Sequence, residues 1–221
     1  MIEVRRMVCN MLQENTYVVS DDTREAVIID CGAYYDEERR ALVSYVEQQQ
    51  LKPIHLLSTH GHFDHNFGND TVWQHYGLKP EVPVPDEGLL DLRRQSLDML
   101  GMDYDHPVPP IGRLLTEHDF IAFGTHRLSI LPTPGHTPGS VCFYCEQEGI
   151  LFSGDTLFQM SIGRTDFPGG SWTQMQQSLH RLAALPVATK VYPGHGEPTT
   201  IDQELHYNPY MADSVNSHGL V

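Results

Sequence analysis

The chain is short of positive charge, of cysteine and of long hydrophobic runs. Its 221 residues carry 14 Lys and Arg against 29 Asp and Glu, a formal net charge of −15, with no Lys/Arg run anywhere. A surface of that sign repels phosphate backbones, so no nucleic-acid partner is expected. No apolar stretch is long enough to cross a bilayer, so no membrane partner is expected either. The opening "MIEVRRMVCNMLQENTY" lacks the apolar segment of a secretory signal, and the cytoplasm is the expected compartment. The four cysteines are Cys9, Cys31, Cys142 and Cys145. Cys142 and Cys145 form a CxxC, but the second pair that a structural zinc would need is missing. Their stretch "SVCFYCE" alternates like a buried strand, so structural thiols are the expectation.

With 40% apolar and 19% charged residues, the composition is that of a globular fold with a substantial core. The first third reads strand, strand, strand, helix, strand. "EVRRMVC", "NTYVVSD" and "EAVIIDC" are rich in β-branched residues and separated by turn signals. "DEERRALVSYVEQQQ" places Leu42, Val43 and Val46 on one helical face, and "PIHLLSTH" is a short buried strand. A short helix is expected from Thr71 to Tyr76. The Pro-rich stretch Gly77 to Pro110 reads as a long excursion with one helical segment, "DEGLLDLRRQSLDMLG". It is either a functional lid or a tolerated insertion. The second half restarts with strands at "HRLSILPT", "SVCFYCE" and "GILFSG", a helix "SWTQMQQSLHRLAAL" capped by Ser171, and a strand "TKVYPG". Two β-rich halves, each closed by helices, imply two sheets with helices outside.

The chemistry concentrates in "LLSTHGHFDHNFG". His60, His62, Asp64 and His65 put three histidines and an aspartate into six positions. In extended chain alternate residues point the same way, so His60 and His62 can reach one ion. A reversal at Asp64–His65 would aim those two at a neighbouring point. Imidazole with carboxylate suits zinc, with iron or manganese as alternatives. One loop cannot complete a two-metal site, and three later residues qualify as partners. His136 lies in "LPTPGHTPGS", Asp155 in "LFSGDTLF" and His195 in "VYPGHGEP", each just past a strand where loops project functional groups.

In that order, these residues resemble the metallo-β-lactamase fold superfamily over roughly residues 1–205. The resemblance implies an α/β fold of four layers, an αββα sandwich, with residues 206–221 as a tail and no separate helical glutathione-binding domain. It implies His60, His62 and His136 on one ion, Asp64, His65 and His195 on a second, and Asp155 bridging. Two zinc ions are the implied cofactors. Two ions about 3.5–4 Å apart hold a bridging hydroxide and polarise a carbonyl, and lower the pKa of bound water from ~15.7 to ~7. Asp64 is the expected catalytic residue, orienting the water or accepting its proton. The implied reaction is metal-assisted hydrolysis of an acyl group on a small-molecule substrate. His55, His75, His106, His118, His126, His180, His206 and His218 match no motif.

Within the superfamily, "SIGRTDFPGG" resembles the element of short bacterial glyoxalase II-like hydrolases, which cleave thioesters. Persulfide dioxygenases share it, so a mononuclear iron enzyme using His60, His136 and Asp155 is the alternative. Another small ester or lactone metallohydrolase is a third reading. Asp155 stands where the largest subclass of zinc β-lactamases carries Cys, and His62 where flavodiiron proteins carry Glu. Arg164 and Asp166 either contact substrate or form an ion pair that shapes their loop. Full-length glyoxalase II holds glutathione with basic C-terminal residues, whereas none of the 26 residues after His195 is Lys or Arg. "HYNPYM" reads as a short terminal helix or as a homo-oligomer contact. A non-catalytic scaffold would require a lost ligand, and none is lost.

Overall fold

Strands buried on both faces need two cores, one on each side, and the computed structural model supplies them. It describes residues 1–91 and 106–211. One six-stranded sheet runs in sequence order through β1 (Glu3–Cys9), β2 (Glu14–Ser20), β3 (Glu25–Ile29), β4 (Lys52–Leu57), β5 (Pro80–Pro83) and β6 (Arg113–Leu115). The second half forms β7 (Phe120–Phe123), β8 (His126–Pro132), β9 (Val141–Cys145), β10 (Ile150–Gly154), β13 (Lys190–Pro193) and β14 (Thr199–Thr200), ordered β14-β13-β10-β9-β8-β7. Between β10 and β13 lies a small hairpin of β11 (Leu157–Phe158) and β12 (Ser161–Ile162).

The period of two sorts the side chains. On β2 and β3, Tyr17, Val19, Val27 and Ile29 join the core between the sheets, while Val18, Ala26 and Ile28 face outward. That outer face is covered by Leu42 and Val46 of α1 (Asp36–Gln48) and Val72 of α2 (Asn69–Tyr76). On β9 and β10, Val141, Phe143, Cys145, Ile150 and Phe152 face the first sheet. Cys142, Tyr144 and Leu151 face Met175, Leu179 and Leu182 of α4 (Trp172–Ala183) and Ile201 of α5 (Ile201–Tyr207). Helix, sheet, sheet, helix is the αββα sandwich that was expected. The same alternation settles the CxxC. Cys142 and Cys145 sit on opposite faces of β9, so they cannot share an ion, and burial pushes the Cys142 thiol up to about 12. All four cysteines are free and buried.

Ser171 caps α4 as expected, accepting a hydrogen bond from the Gln174 amide. The stretch Gly77–Pro110 requires a correction. Its first part is a buried strand, β5, paired in parallel with β4 and β6. Prolines at the strand's ends, Pro80 and Pro83, hide it from a pattern search, because proline is read as a strand breaker. The helix expected over 86–101 is observed as α3 (Glu87–Asp91), and the rest of that expectation falls outside the described residues. Of "HYNPYM", His206 and Tyr207 close α5, while Asn208 and Met211 are buried against the fold. Residues 212–221 of the expected tail lie outside the described residues. Among the described residues no helix is long and apolar enough to cross a membrane.

Candidate metal centre

The functional loops leave one edge of the sandwich, at the carboxyl ends of β3, β4, β8, β10 and β13. The β4 loop is tied into a compact knuckle by Asn66. Its amide donates to the carbonyls of His60 (3.2 Å) and His62 (2.7 Å), and its Oδ1 accepts from Ser58 Oγ at 2.7 Å. Gly154, at φ +48, turns the chain after β10 so that Asp155 projects inward; a Cβ there would lie 2.3 Å from Thr59 Oγ1. The β13 loop is held by Asn15, whose amide donates to the carbonyls of Pro193 (2.9 Å) and Gly196 (2.8 Å).

These turns bring all seven expected residues together. His60, His62 and His136 form one trio and Asp64, His65 and His195 another, with the offered ligand atoms of each trio within 4.8 Å of one another. Asp155 lies between them. Its Oδ2 is 3.4 Å from His136 Nε2 and 3.7 Å from His195 Nε2, and its Oδ1 is 3.4 Å from His65 Nε2. Asp64 Oδ2 is 3.3 Å from His195 Nε2 and 3.7 Å from His65 Nε2.

The partners behind the rings fix which nitrogen faces inward. His136 Nδ1 donates to the Arg164 carbonyl at 2.7 Å and His195 Nδ1 to the Leu12 carbonyl at 3.1 Å, so both present Nε2 as a lone pair. His65 Nδ1 lies 3.1 Å from Asp30 Oδ2 and donates to it. His60 Nδ1 donates to Thr59 Oγ1 (3.0 Å), whose own proton goes to Asp30 Oδ2 (2.7 Å). Asp30 thus orients two rings from behind. His60, His65 and Asp30 also cluster closely enough to hold an ion, but Asp30 already accepts from Thr59 and His65.

The electrostatics favour bare imidazoles on one side and charged carboxylates in the middle. Burial pushes His60 well below the ordinary histidine range and, with His136 beside it, lowers His62 to about 4. Burial would raise Asp155, but His65, His136 and His195 around it hold its carboxyl well below the usual carboxylate range. For His65 burial works downward and is overcome by Asp155, Asp64 and Asp30, which raise it well above the ordinary value.

A cation fits this donor set. His60 Nε2, His65 Nε2 and Asp155 Oδ1 are buried polar atoms with no hydrogen-bond partner, an unfavourable state that a shared ion would relieve. His62 Nδ1 and His136 Nε2 stand 2.8 Å apart, a spacing two lone pairs tolerate only with a proton or a cation between them. Five imidazoles and two carboxylates, without thiolate, suit zinc or iron.

Arg164 and Asp166 stand outside this cluster. They form an exposed two-pronged pair, with Arg164 Nε and Nη2 each 2.7 Å from Asp166 oxygens. The guanidinium lies 3.9 Å over the Phe167 ring, whose centroid is 5.7 Å from that of His62. Phe158 lies on the other side, 6.0 Å from His195. The sequence reading missed Asp30, Thr59, Asn66 and Asn15. Asp30 alone left a trace, as the acid that ends the buried strand "VIID".

Comparisons with known proteins identify the family and the fold. The family model described as the metallo-beta-lactamase superfamily matches residues 9–195. The chain is 34% identical over 211 residues to the "Probable metallo-hydrolase YqgX" of Bacillus subtilis, covering 94% of this chain and 96% of that protein. It is 33% identical over 202 residues to the "Hydroxyacylglutathione hydrolase GloC" of Haemophilus influenzae, covering 90% and 93%. Among solved structures, the BLEG-1 B3 metallo-beta-lactamase matches with a TM-score of 0.85 at 38% identity, over 96% of this chain and 99% of that one. TTHA1623 in a di-iron-bound form matches with a TM-score of 0.83 at 34% identity, over 94% and 100%. Fold, donor set and near full-length similarity lead to one conclusion: the chain belongs to the metallo-beta-lactamase superfamily.

Proposed function

We propose that the chain is a dinuclear metal-dependent hydrolase that cleaves a thioester or a related acyl bond. The observation that carries this reading is the position of Asp155, within 3.4–3.7 Å of imidazoles from both trios. His60, His62 and His136 would hold one ion, Asp64, His65 and His195 the other, and Asp155 would join them. When bound, the ions supply a nucleophilic water at neutral pH and a Lewis acid for the carbonyl oxygen. Two zinc ions are the proposed loading, with iron as the alternative because a similar structure is of a di-iron-bound form.

The chain's own groups do the rest. Asp64, whose Oδ2 lies 3.3 Å from His195 Nε2, is the proposed group that orients water and takes its proton. Phe167 and Phe158 flank the imidazoles and offer apolar walls to an acyl or thiol arm. Arg164, stacked on Phe167 and balanced by Asp166, stands at the rim as the proposed substrate contact. The 33% identity to a protein named as a hydroxyacylglutathione hydrolase supports a thioester. Four buried free thiols suit a reducing compartment, and the cytoplasm is the proposed location.

Metal analysis of the purified protein, followed by a panel of thioester, ester, lactone and β-lactam substrates, tests this reading. Two ions per chain and preferential thioester turnover are expected. One iron per chain with oxygen uptake on glutathione persulfide, and no hydrolysis, would replace it with the dioxygenase reading.

A further inference from the structure

Asp86 ends the short turn Val84–Asp86 after β5, and its side chain is fully buried. Three donors converge on it. Oδ2 accepts from the Gly61 amide at 2.9 Å and from Thr137 Oγ1 at 2.6 Å, and Oδ1 accepts from the Gly139 amide at 2.7 Å. Gly61 lies between His60 and His62, and Thr137 follows His136. The approach is close on both sides. A Cβ on Gly139 would fall 2.5 Å from Asp86 Oδ1, and one on Gly61 would fall 3.0 Å from the Asp86 carbonyl oxygen. Both loops can press onto this carboxylate because they carry glycine there.

We propose that Asp86 is a positioning residue for the first ion alone. It clasps the His60–His62 loop of the first sheet to the His136 turn of the second, and so sets the spacing of that trio. This rests on the reading of His60, His62 and His136 as ligands of one ion. The second trio is held by groups other than Asp86. Asp30 backs His65, the Leu12 carbonyl backs His195, and Asn10 Nδ2 donates to the Asp64 carbonyl at 3.0 Å. Loss of Asp86 therefore strikes one ion and spares the other.

The test measures zinc affinity by competition with a chromophoric chelator in two backgrounds. His195→Ala retains the first trio, and His62→Ala retains the second. Asp86→Asn keeps the shape but sets an amide N–H against the converging donors. In the first background it is expected to weaken zinc binding about 10–100-fold, the usual effect of losing an outer partner. In the second background the change is expected to stay within about twofold. Thr137→Val removes one donor at nearly constant volume and is expected to cost about 3–10-fold, in the first background only. It decides the question if circular dichroism shows Asp86→Asn unfolded. Unchanged affinity in the first background, or equal loss in both, overturns the proposal. If the His195→Ala background itself binds no zinc, the ligand assignment falls and the clasp falls with it.

Discussion

A single methyl group at Gly194 provides the sharpest test of the shared aspartate. A Cβ at this position would lie 2.3 Å from Asp155 Oδ1 and 2.7 Å from His65 Cε1, where ordinary contacts begin at 3.4 Å. Relief requires Asp155 to retreat by about 1.1 Å and His65 by about 0.7 Å. The backbone cannot swing away, because the Gly194 amide donates to Gly154 at 2.8 Å and its carbonyl accepts from Asn15 at 2.7 Å. Metal–ligand distances tolerate only about 0.2 Å of error. A displacement near 1 Å costs reacting geometry roughly 10²-fold. Gly194→Ala is therefore expected to lose ion content after dialysis and to lower thioester turnover by about two orders of magnitude. Gly196→Ala is the control. Gly196 sits at φ +79 with nothing within 4 Å of a Cβ, so only backbone strain of about 1–2 kcal/mol is added. A Gly194→Ala protein with two ions and turnover within about threefold of the parent would refute the bridging position of Asp155.

Three other outcomes are expected. Asp64→Ala should keep the fold by circular dichroism while turnover falls to background; retained turnover would remove Asp64 from the chemistry. Arg39→Met should destabilise the protein by up to about 3–5 kcal/mol in urea unfolding, because it takes the guanidinium from the buried Asp70 carboxylate, which keeps His106 Nδ1 at 3.2 Å. Arg39 Nη1 donates to both Asp70 oxygens at 2.8 and 2.7 Å and Nη2 to the Phe67 carbonyl at 2.8 Å, so a loss under about 1 kcal/mol would contradict that packing. At Asp21 burial disfavours the ionised form, but hydrogen bonds from Thr125, Thr23 and His126 overcome it and hold the carboxyl well below the usual carboxylate range. A depressed folded value stabilises above the unfolded value of about 3.9 and is lost as pH falls below it. The stability advantage of the parent over Asp21→Asn should thus shrink between about pH 5 and pH 3, and a constant difference would overturn the assignment.

What could be read from the sequence was what has a short period or a dense motif. The alternation in "TYVVS" and "AVIID" marks strands because every residue must choose a face, and the ligand loop is legible because four donors crowd into six positions. β5 was hidden by its own prolines, and β6, β7 and β14 are only two to four residues long, too short for a pattern to rise above chance. Asp30, Asn66 and Asp86 act by accepting or donating hydrogen bonds at sites that nothing in their own neighbourhood encodes. The donors to Asp86 come from Gly61, Thr137 and Gly139, which only the folded chain places beside it. Arg164 and Asp166 were legible as a pair, and the structure shows them bonded to each other as an exposed ion pair.

The way the ligands are divided between the halves has a consequence for quality control. On the proposed assignment, the first half gives each ion two side chains, His60 with His62 to one and Asp64 with His65 to the other. The third member of each trio, His136 or His195, arrives from the second sheet, as does Asp155. On that assignment, a chain whose sheets have docked out of register would present only two of those donors to each ion, too few to retain it. Metal loading would then work as an inspection of assembly. A correctly docked molecule alone would then hold both proposed ions, and misdocked copies would lack the proposed activity.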